Sequence, residues 1–291
     1  MTSLVLIDGR PSPPDAAKVS VFDRGFLYGD SVFEALRTYG GRPFALDRHL
    51  ERLAQSAARV FIELPVSLDQ IRREVLSAIV GAGNPESYVR LTVTRGVGEA
   101  LGLDPGLSRH PLRVVIVTPL VSPPAETYRD GVAVVTHRTE RVTDHSAAAG
   151  AKVGNYLSAV LALRQARLAN AAEALIVDGR GRVVEGATSN VFAVLDDGTL
   201  TTPPEGDGIL LGITRETVLS VASQLGIPTK LQSLPLETVK KAAEVFVSSS
   251  IRELLPVVSV DGAPIGNGQP GPTTLRLLNA FRAACLRSTA P

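Results

Sequence analysis

The chain has 291 residues, 44% of them hydrophobic, and a formal net charge of +1. That composition supports a substantial core and excludes a disordered chain or one with a basic nucleic-acid-binding block. With no run of 18 apolar residues, no basic leader and one cysteine, Cys285, it excludes an internal disulfide and gives the expectation of a cytoplasmic protein with no membrane or nucleic-acid partner.

In chain order, "SLVLIDGR" alternates and breaks at Asp8-Gly9, which predicts a strand and a turn. "SVFEALRTYGGRPFAL" predicts a strand pair about Gly40-Gly41. "DRHLERLAQSAARVFI" has helical spacing with Asp47 as N-cap, and "SLDQIRREVLSAIVGAG" is a second amphipathic helix ending in glycine. "SYVRLTVTRGVG" and "LRVVIVTPL" are rich in β-branched residues and read as strands. "PLVSPPAETYRDG" carries three prolines and marks a domain boundary. Beyond it come a strand, "VAVVTHRTERV", and a helix, "NYLSAVLALRQARLANA". "EALIVDGRGRVVEGATSNVFAVLDDGTLTTP" reads as a meander, "TRETVLSVASQLG" as a helix, "AEVFVSSSIRELLPVVSVDG" as strands and "GPTTLRLLNAFRAACLR" as a final helix. The expected class is α+β, with mixed sheets and helices outside, in a domain over 1–120, a linker over 121–130 and a second domain over 131–291.

Five of the 30 cationic side chains are lysine, and one of them, Lys152, stands among small apolar neighbours in "GAKVGNYL". An arginine stays protonated in a protein, whereas a lysine amine can lose its proton on burial and act as nucleophile or base. If Lys152 joins an aldehyde cofactor, pyridoxal phosphate being the common one, the chain must also offer an anion for the ring nitrogen and a cradle for the phosphate. Glu185 in "VVEGATSN" is a candidate anion, flanked by small residues that let a planar ring approach. Gly212, Ile213 and Thr214 open a helix whose free N–H groups suit a phosphate. Ser248, Ser249 and Ser250 form a second donor cluster, and Arg52 offers a cationic fork. Taken singly, each has a plain alternative: a surface glutamate, an ordinary helix cap, a strand-ending turn, a solvated helix face.

Their order resembles that of the fold-type IV pyridoxal-phosphate enzymes, which include branched-chain aminotransferases, D-amino-acid aminotransferases and aminodeoxychorismate lyases. The resemblance spans nearly the whole chain, through "DRGFLYGDSVFEALRTYGGRPFALDRHLERL", "YVRLTVTRGVGEALGLDP", "KVGNYLSAVLA", "EALIVDGRGRVVEGATSNVFAV", "GITRE" and "EVFVSSSIRELLPV". It implies a small N-terminal α/β domain, a larger C-terminal domain with a barrel-like core of mixed sheets, and a homodimer. It implies that Lys152 is the Schiff-base lysine and Glu185 the partner of the pyridine nitrogen. Arg52, Ile213, Thr214 and Ser250 match the phosphate-binding positions, Ser250 where many members have threonine, and Tyr156 matches a tyrosine that binds the cofactor's phenolic oxygen. The implied substrates are amino acids and 2-oxo acids.

Within that family, Tyr88-Val89-Arg90 matches a Tyr-x-Arg pair of the branched-chain group, although Ala35 replaces its usual glycine after "VFE". The D-amino-acid enzymes use a tyrosine, an arginine and a histidine where this chain has Phe33, Arg95 and Val97. Phe33, Arg37, Tyr88, Arg90, Arg95, Ser249 and Ile251 are the expected substrate residues, with Tyr39 beside Arg37. The resemblance thus implies an aminotransferase acting on L-branched-chain donors with 2-oxoglutarate or a similar acceptor. The alternatives are aminodeoxychorismate lyase, a D-amino-acid or (R)-amine aminotransferase, and a non-catalytic relative. His49, His110, His137 and His145 lack metal-ligand spacing and read as structural, with His49 packing behind the phosphate.

Overall fold

The structure is a computed structural model and describes residues 2–108, 110–139 and 148–289; residues 140–142 of an expected strand, and His145, lie outside them. The chain divides into two compact units, one of Met1–Val121, Ala151–Tyr156 and Leu286–Pro291, the other of Ser122–Gly150 and Leu157–Cys285. The segment that carries Lys152 therefore groups with the first unit, although it lies in the second half of the sequence. Among the described residues no helix is long and apolar enough to cross a membrane.

The first unit contains β1 (Leu4–Ile7), β2 (Arg10–Ser12), α1 (Arg24–Tyr28), β3 (Ser31–Tyr39), β4 (Arg42–Pro43), α2 (Leu46–Arg59), α3 (Leu68–Ala82), β5 (Ser87–Thr94) and β6 (Leu112–Pro119). Its six strands are ordered β2-β1-β6-β5-β3-β4, antiparallel throughout. Alternation places Val89, Leu91 and Val93 of β5, with Val32 and Leu36 of β3, on one face. Leu50, Leu53 and Ala57 of α2 and Ile71, Val75 and Ala78 of α3 complete that core. The helix expected to start at Asp47 begins at Leu46, after Ala45 in a left-handed conformation (φ 51°) with no side-chain cap. Asp47 pairs instead with Arg72, 2.7 Å away, so the carboxylate ties α2 to α3.

The second unit contains α4 (Ala125–Asp130), β7 (Val132–Arg138), α5 (Leu157–Leu168), β8 (Glu173–Val177), β9 (Arg182–Gly186), β10 (Asn190–Val194), β11 (Leu200–Thr202), α6 (Ile213–Gln224), β12 (Thr229–Leu231), β13 (Leu234–Pro235), α7 (Leu236–Lys240), β14 (Glu244–Ser249), β15 (Glu253–Val260), β16 (Ala263–Pro264) and all but the last residues of α8 (Pro272–Ser288). The stretch read as a linker thus holds a short helix, α4, which packs Tyr128 inward. The sheet order is β12-β11-β10-β14-β15-β7-β8-β9-β13, with β16 on β15. It is mixed: β7 runs parallel to β8 and β15, and β11 to β12. Ala162 and Ala166 of α5 lie on Ala174, Ile176 and Val184, small side chains that let the helix approach the strands closely. Phe192 of β10 and Phe246 of β14 stack with centroids 4.8 Å apart. This α+β arrangement agrees with the class expected from the sequence.

Candidate active site

In the first unit, Lys152 belongs to an extended segment fastened to the start of β3. Val153 bridges Val32 antiparallel, Phe33 N–H donates to the Lys152 carbonyl at 3.0 Å, and Gly154 N–H donates to the Ser31 carbonyl at 2.8 Å. Lys152 N–H donates to Ser56 Oγ of α2 at 3.1 Å. A Cβ on Gly154 would lie 2.0 Å from Ser31 Oγ, so any larger residue there must displace that hydroxyl. The backbone of the lysine is thus fixed from two sides, as positioning a reactive amine demands.

The half-buried Lys152 side chain places Nζ 3.3 Å from the Tyr156 hydroxyl and 4.5 Å from the centroid of the Phe33 ring. Tyr156 and Phe33 meet edge to face at 5.1 Å. Among the described residues, no carboxylate pairs with Nζ. The amine is held by one hydroxyl and aromatic faces, an environment for a nucleophile rather than for a structural ion pair.

On the helix-facing side of β3, alternation sets Glu34 between Val32 and Leu36. A wholly buried carboxylate in an apolar register needs partners, and α2 supplies them. Arg52 donates through Nε to Oε1 and through Nη2 to Oε2, each at 2.7 Å, and His49 Nδ1 lies 2.7 Å from Oε2. Burial alone would raise the Glu34 pKa, but the hydrogen bonds from Arg52 and His49 prevail and bring it to about 2. Burial lowers the His49 pKa, so the imidazole is neutral and donates to the carboxylate. Glu34 fixes the plane of the Arg52 guanidinium. His49 packs here, and its partner could have been found from the strand register and the three-residue spacing of His49 and Arg52.

The opposite face of this sheet carries most of the expected substrate residues. Across the β3–β5 ladder, Phe33 faces Thr92, Ala35 faces Arg90 and Arg37 faces Tyr88. Arg90 Cζ lies 3.9 Å from the Phe33 centroid, and Arg37 Cζ lies 4.5 Å from that of Tyr39. Phe33 therefore contacts the cations of both Arg90 and Lys152.

Arg95 is placed differently. It donates to both oxygens of Asp30 (2.7 and 3.0 Å), to the Phe61 carbonyl (2.6 Å) and to the Val60 carbonyl (2.8 Å). All three guanidinium nitrogens are engaged, and the residue is buried. Its geometry is that of a strut, not of a free substrate ligand. Arg24 shares Asp30 and donates to the Gly102 and Leu103 carbonyls, which ties the 96–107 loop to α1. Burial works against the Asp30 charge, but the two arginines outweigh it and lower its pKa.

In the second unit, Glu185 lies near the end of β9 and accepts from Leu210 N–H at 3.0 Å. Asn190 Nδ2 donates to the Leu210 carbonyl at 2.8 Å. Together they hold the approach to α6. Gly212 precedes that helix, and a Cβ there would lie 2.0 Å from Asn190 Oδ1. Among the described residues no side chain caps α6, so the N–H groups of its first turn, at Ile213 and Thr214, lie at the positive end of a twelve-residue helix dipole without a capping acceptor. Ser248, paired with Asn190 across the β10–β14 ladder, is buried, and among the described residues its Oγ has no hydrogen-bond partner. Ser249 ends β14, and Ser250 and Ile251, half-buried, lie in the turn that follows. An uncapped helix start and a buried hydroxyl without a partner among the described residues suit an anionic group such as a phosphate. Among the described residues no cluster of side chains suited to a metal ion occurs.

Residues 31–260 match the family profile described as amino-transferase class IV. A Methanocaldococcus jannaschii protein provisionally named a branched-chain-amino-acid aminotransferase is 37% identical, covering 96% of this chain and 95% of that one. The D-alanine aminotransferase of Staphylococcus aureus (strain N315) is 34% identical, covering 95% and 96%. Among solved structures, the T.th. branched-chain amino acid aminotransferase with pyridoxamine 5'-phosphate superposes with a TM-score of 0.92 at 30% identity, covering 100% and 96%. The Escherichia coli branched-chain amino acid aminotransferase gives 0.90 at 30%, covering 100% and 96%. On a profile spanning most of the sequence and relatives above 30% identity over nearly all of it, the chain belongs to the class IV aminotransferase family.

Proposed function

We propose that the chain transfers an amino group from an L-amino acid of the branched-chain type to a 2-oxo acid such as 2-oxoglutarate. The observation that carries this reading is Lys152: an amine with a doubly anchored backbone, hydrogen-bonded to Tyr156 and set against Phe33. The cofactor is pyridoxal phosphate. Lys152, Tyr156, Arg52, Glu185, Ile213, Thr214 and Ser250 are the residues that would hold it. When bound, it supplies an aldehyde for the donor's amino group and a ring that takes up the electrons left at Cα.

The chain's own residues supply the proton transfers. Lys152 Nζ takes the Cα proton of the donor as general base. The Tyr156 hydroxyl orients that nitrogen. The Glu185 carboxylate holds the proton of the ring nitrogen, while its bond from Leu210 fixes its direction. The α6 N-terminus and Arg52 bind the phosphate by dipole and charge. The two half-reactions share one set of groups, so the kinetics are ping-pong.

The D-alanine aminotransferase relatives favour a second reading, a D-amino-acid or (R)-amine donor. The engagement of Arg95 with Asp30 and two carbonyls supports the L reading, because that arginine is held away from a substrate role. Exposed Val21, Phe22 and Phe26 around α1 support a homodimer, which sedimentation of the holoenzyme checks.

The test follows the visible absorbance of the lysine-bound cofactor as L-leucine, D-alanine or (R)-1-phenylethylamine is added to separate samples. Loss with L-leucine alone is expected. Loss with D-alanine or the amine instead moves the function to the second reading. A response to none, with turnover of aminodeoxychorismate, makes the protein a lyase.

A further inference from the structure

We propose that Arg252 is a specificity-determining residue that binds a carboxylate of the amino-acid or 2-oxo-acid substrate. This inference rests on the aminotransferase reading above and adds a side chain to the expected substrate turn at Ser249 and Ile251.

The first observation is how rigidly the backbone is held. Arg252 N–H donates to Ser249 Oγ at 3.2 Å, and its carbonyl accepts from the Tyr128 hydroxyl at 3.1 Å. The next residue, Glu253, has a left-handed backbone (φ 56°), unfavourable for a side chain of this size. Arg282 Nε holds its carboxylate at 2.7 Å. Such a conformation persists only where the surroundings enforce it, and such positions cluster at ligand sites.

The second observation is how the side chain is anchored. Arg252 Nη2 donates to Glu173 Oε2 and to Thr188 Oγ1, the latter at 2.8 Å. Glu173 is fully buried and also accepts from Thr188 Oγ1, Ser189 Oγ and the Ala174 N–H. Thr188 and Ser189 stand three and four residues beyond Glu185. One guanidinium nitrogen therefore ties the Ser249–Arg252 turn to the turn that follows the expected ring-nitrogen partner.

The third observation is what the anchoring leaves. Arg24, Arg95, Arg113 and Arg182 each engage all three guanidinium nitrogens. Arg252 engages one. Its Nε and Nη1 have no partner among the described residues, and its side chain is 22% exposed. A residue oriented through one nitrogen, with the other N–H donors unoccupied, is prepared for a planar anion. The amino acids and 2-oxo acids of this reaction carry that group.

The test titrates the holoenzyme and its Arg252→Gln and Arg252→Lys variants with 4-methylvalerate, a carboxylic acid without an amino group, and with 4-methylpentanol. Binding is read from the visible absorbance of the bound cofactor and by calorimetry, and steady-state kinetics use the best donor and acceptor. The Gln variant is expected to bind the acid about tenfold to a hundredfold more weakly and to raise KM for both substrates, with kcat within about threefold. Affinity for the alcohol, affinity for pyridoxal phosphate and the absorbance band stay unchanged, and the Lys variant restores part of the acid affinity. Unchanged acid binding overturns the proposal, as do equal losses for acid and alcohol, which mark a strut. Weakened cofactor binding with unaltered acid affinity assigns Arg252 to the phosphate and overturns it too. A wild-type protein with no lysine-bound cofactor band sinks the aminotransferase reading, and this inference with it.

Discussion

Glu34 and Arg52 form a two-point ion pair, Nε to Oε1 and Nη2 to Oε2, each 2.7 Å, with the carboxylate fully buried. Removing one partner of such a pair leaves the other charge buried without compensation. Glu34→Gln is therefore expected to destabilise the protein by about 3 kcal/mol and to weaken cofactor binding, because Arg52 loses its fixed plane. Urea unfolding and a cofactor titration measure the two effects. Full stability with unchanged cofactor affinity would show that the pair contributes nothing to either.

The same cluster sets a pH dependence. The His49 pKa is lowered in the folded protein by burial, so the unfolded chain takes up its proton first as pH falls. Stability is full above the ordinary histidine pKa and declines below it. Glu34 is likewise depressed, to about 2, so its contribution is present above the ordinary glutamate range and is lost as pH falls toward that value. Unfolding free energy is expected to drop in two stages on acidification, and His49→Gln removes the first. A profile flat from neutral pH down through the histidine range contradicts the assignment.

Lys152→Ala is expected to abolish the visible band and cut transamination by at least ~10³-fold, since both nucleophile and base are lost. Lys152→Arg should fail as badly, because the guanidinium stays protonated. Tyr156→Phe keeps the band and lowers kcat by about tenfold, through the lost orientation of Nζ. Single-turnover absorbance traces separate these outcomes.

Arg95→Lys is expected to lower stability by about 2 kcal/mol, since a point ammonium cannot reproduce the fork to Asp30 and the carbonyls of Val60 and Phe61. The KM for the 2-oxo acid should stay within about twofold. A large rise in KM with unchanged melting temperature would make Arg95 a substrate ligand.

Gly212→Ala forces a methyl group against Asn190 Oδ1, 2.0 Å from the ideal Cβ. The start of α6 must shift, and cofactor affinity is expected to fall by about tenfold or more, the loss of oriented N–H donors to the phosphate. Cofactor titration by fluorescence checks this, and wild-type affinity would place the phosphate elsewhere.

The sequence by itself marked most of the elements and the candidate residues of the site. Period-two alternation marked β3, β5 and β6, helical spacing marked α2 and α3, and a lone lysine beside glycines marked the candidate amine, because these signals are local and follow from backbone geometry. Only the tertiary structure decided the partnerships. Arg95 became a strut because Asp30 and the Val60 and Phe61 carbonyls converge on it, and Glu34 became the clamp of Arg52 because strand register turned it toward α2. Lys152 joined the first unit by bridging to β3, and Arg252 met Glu173 across 79 residues of chain. Such pairings depend on register and on which strands become neighbours, and distant parts of the chain set both.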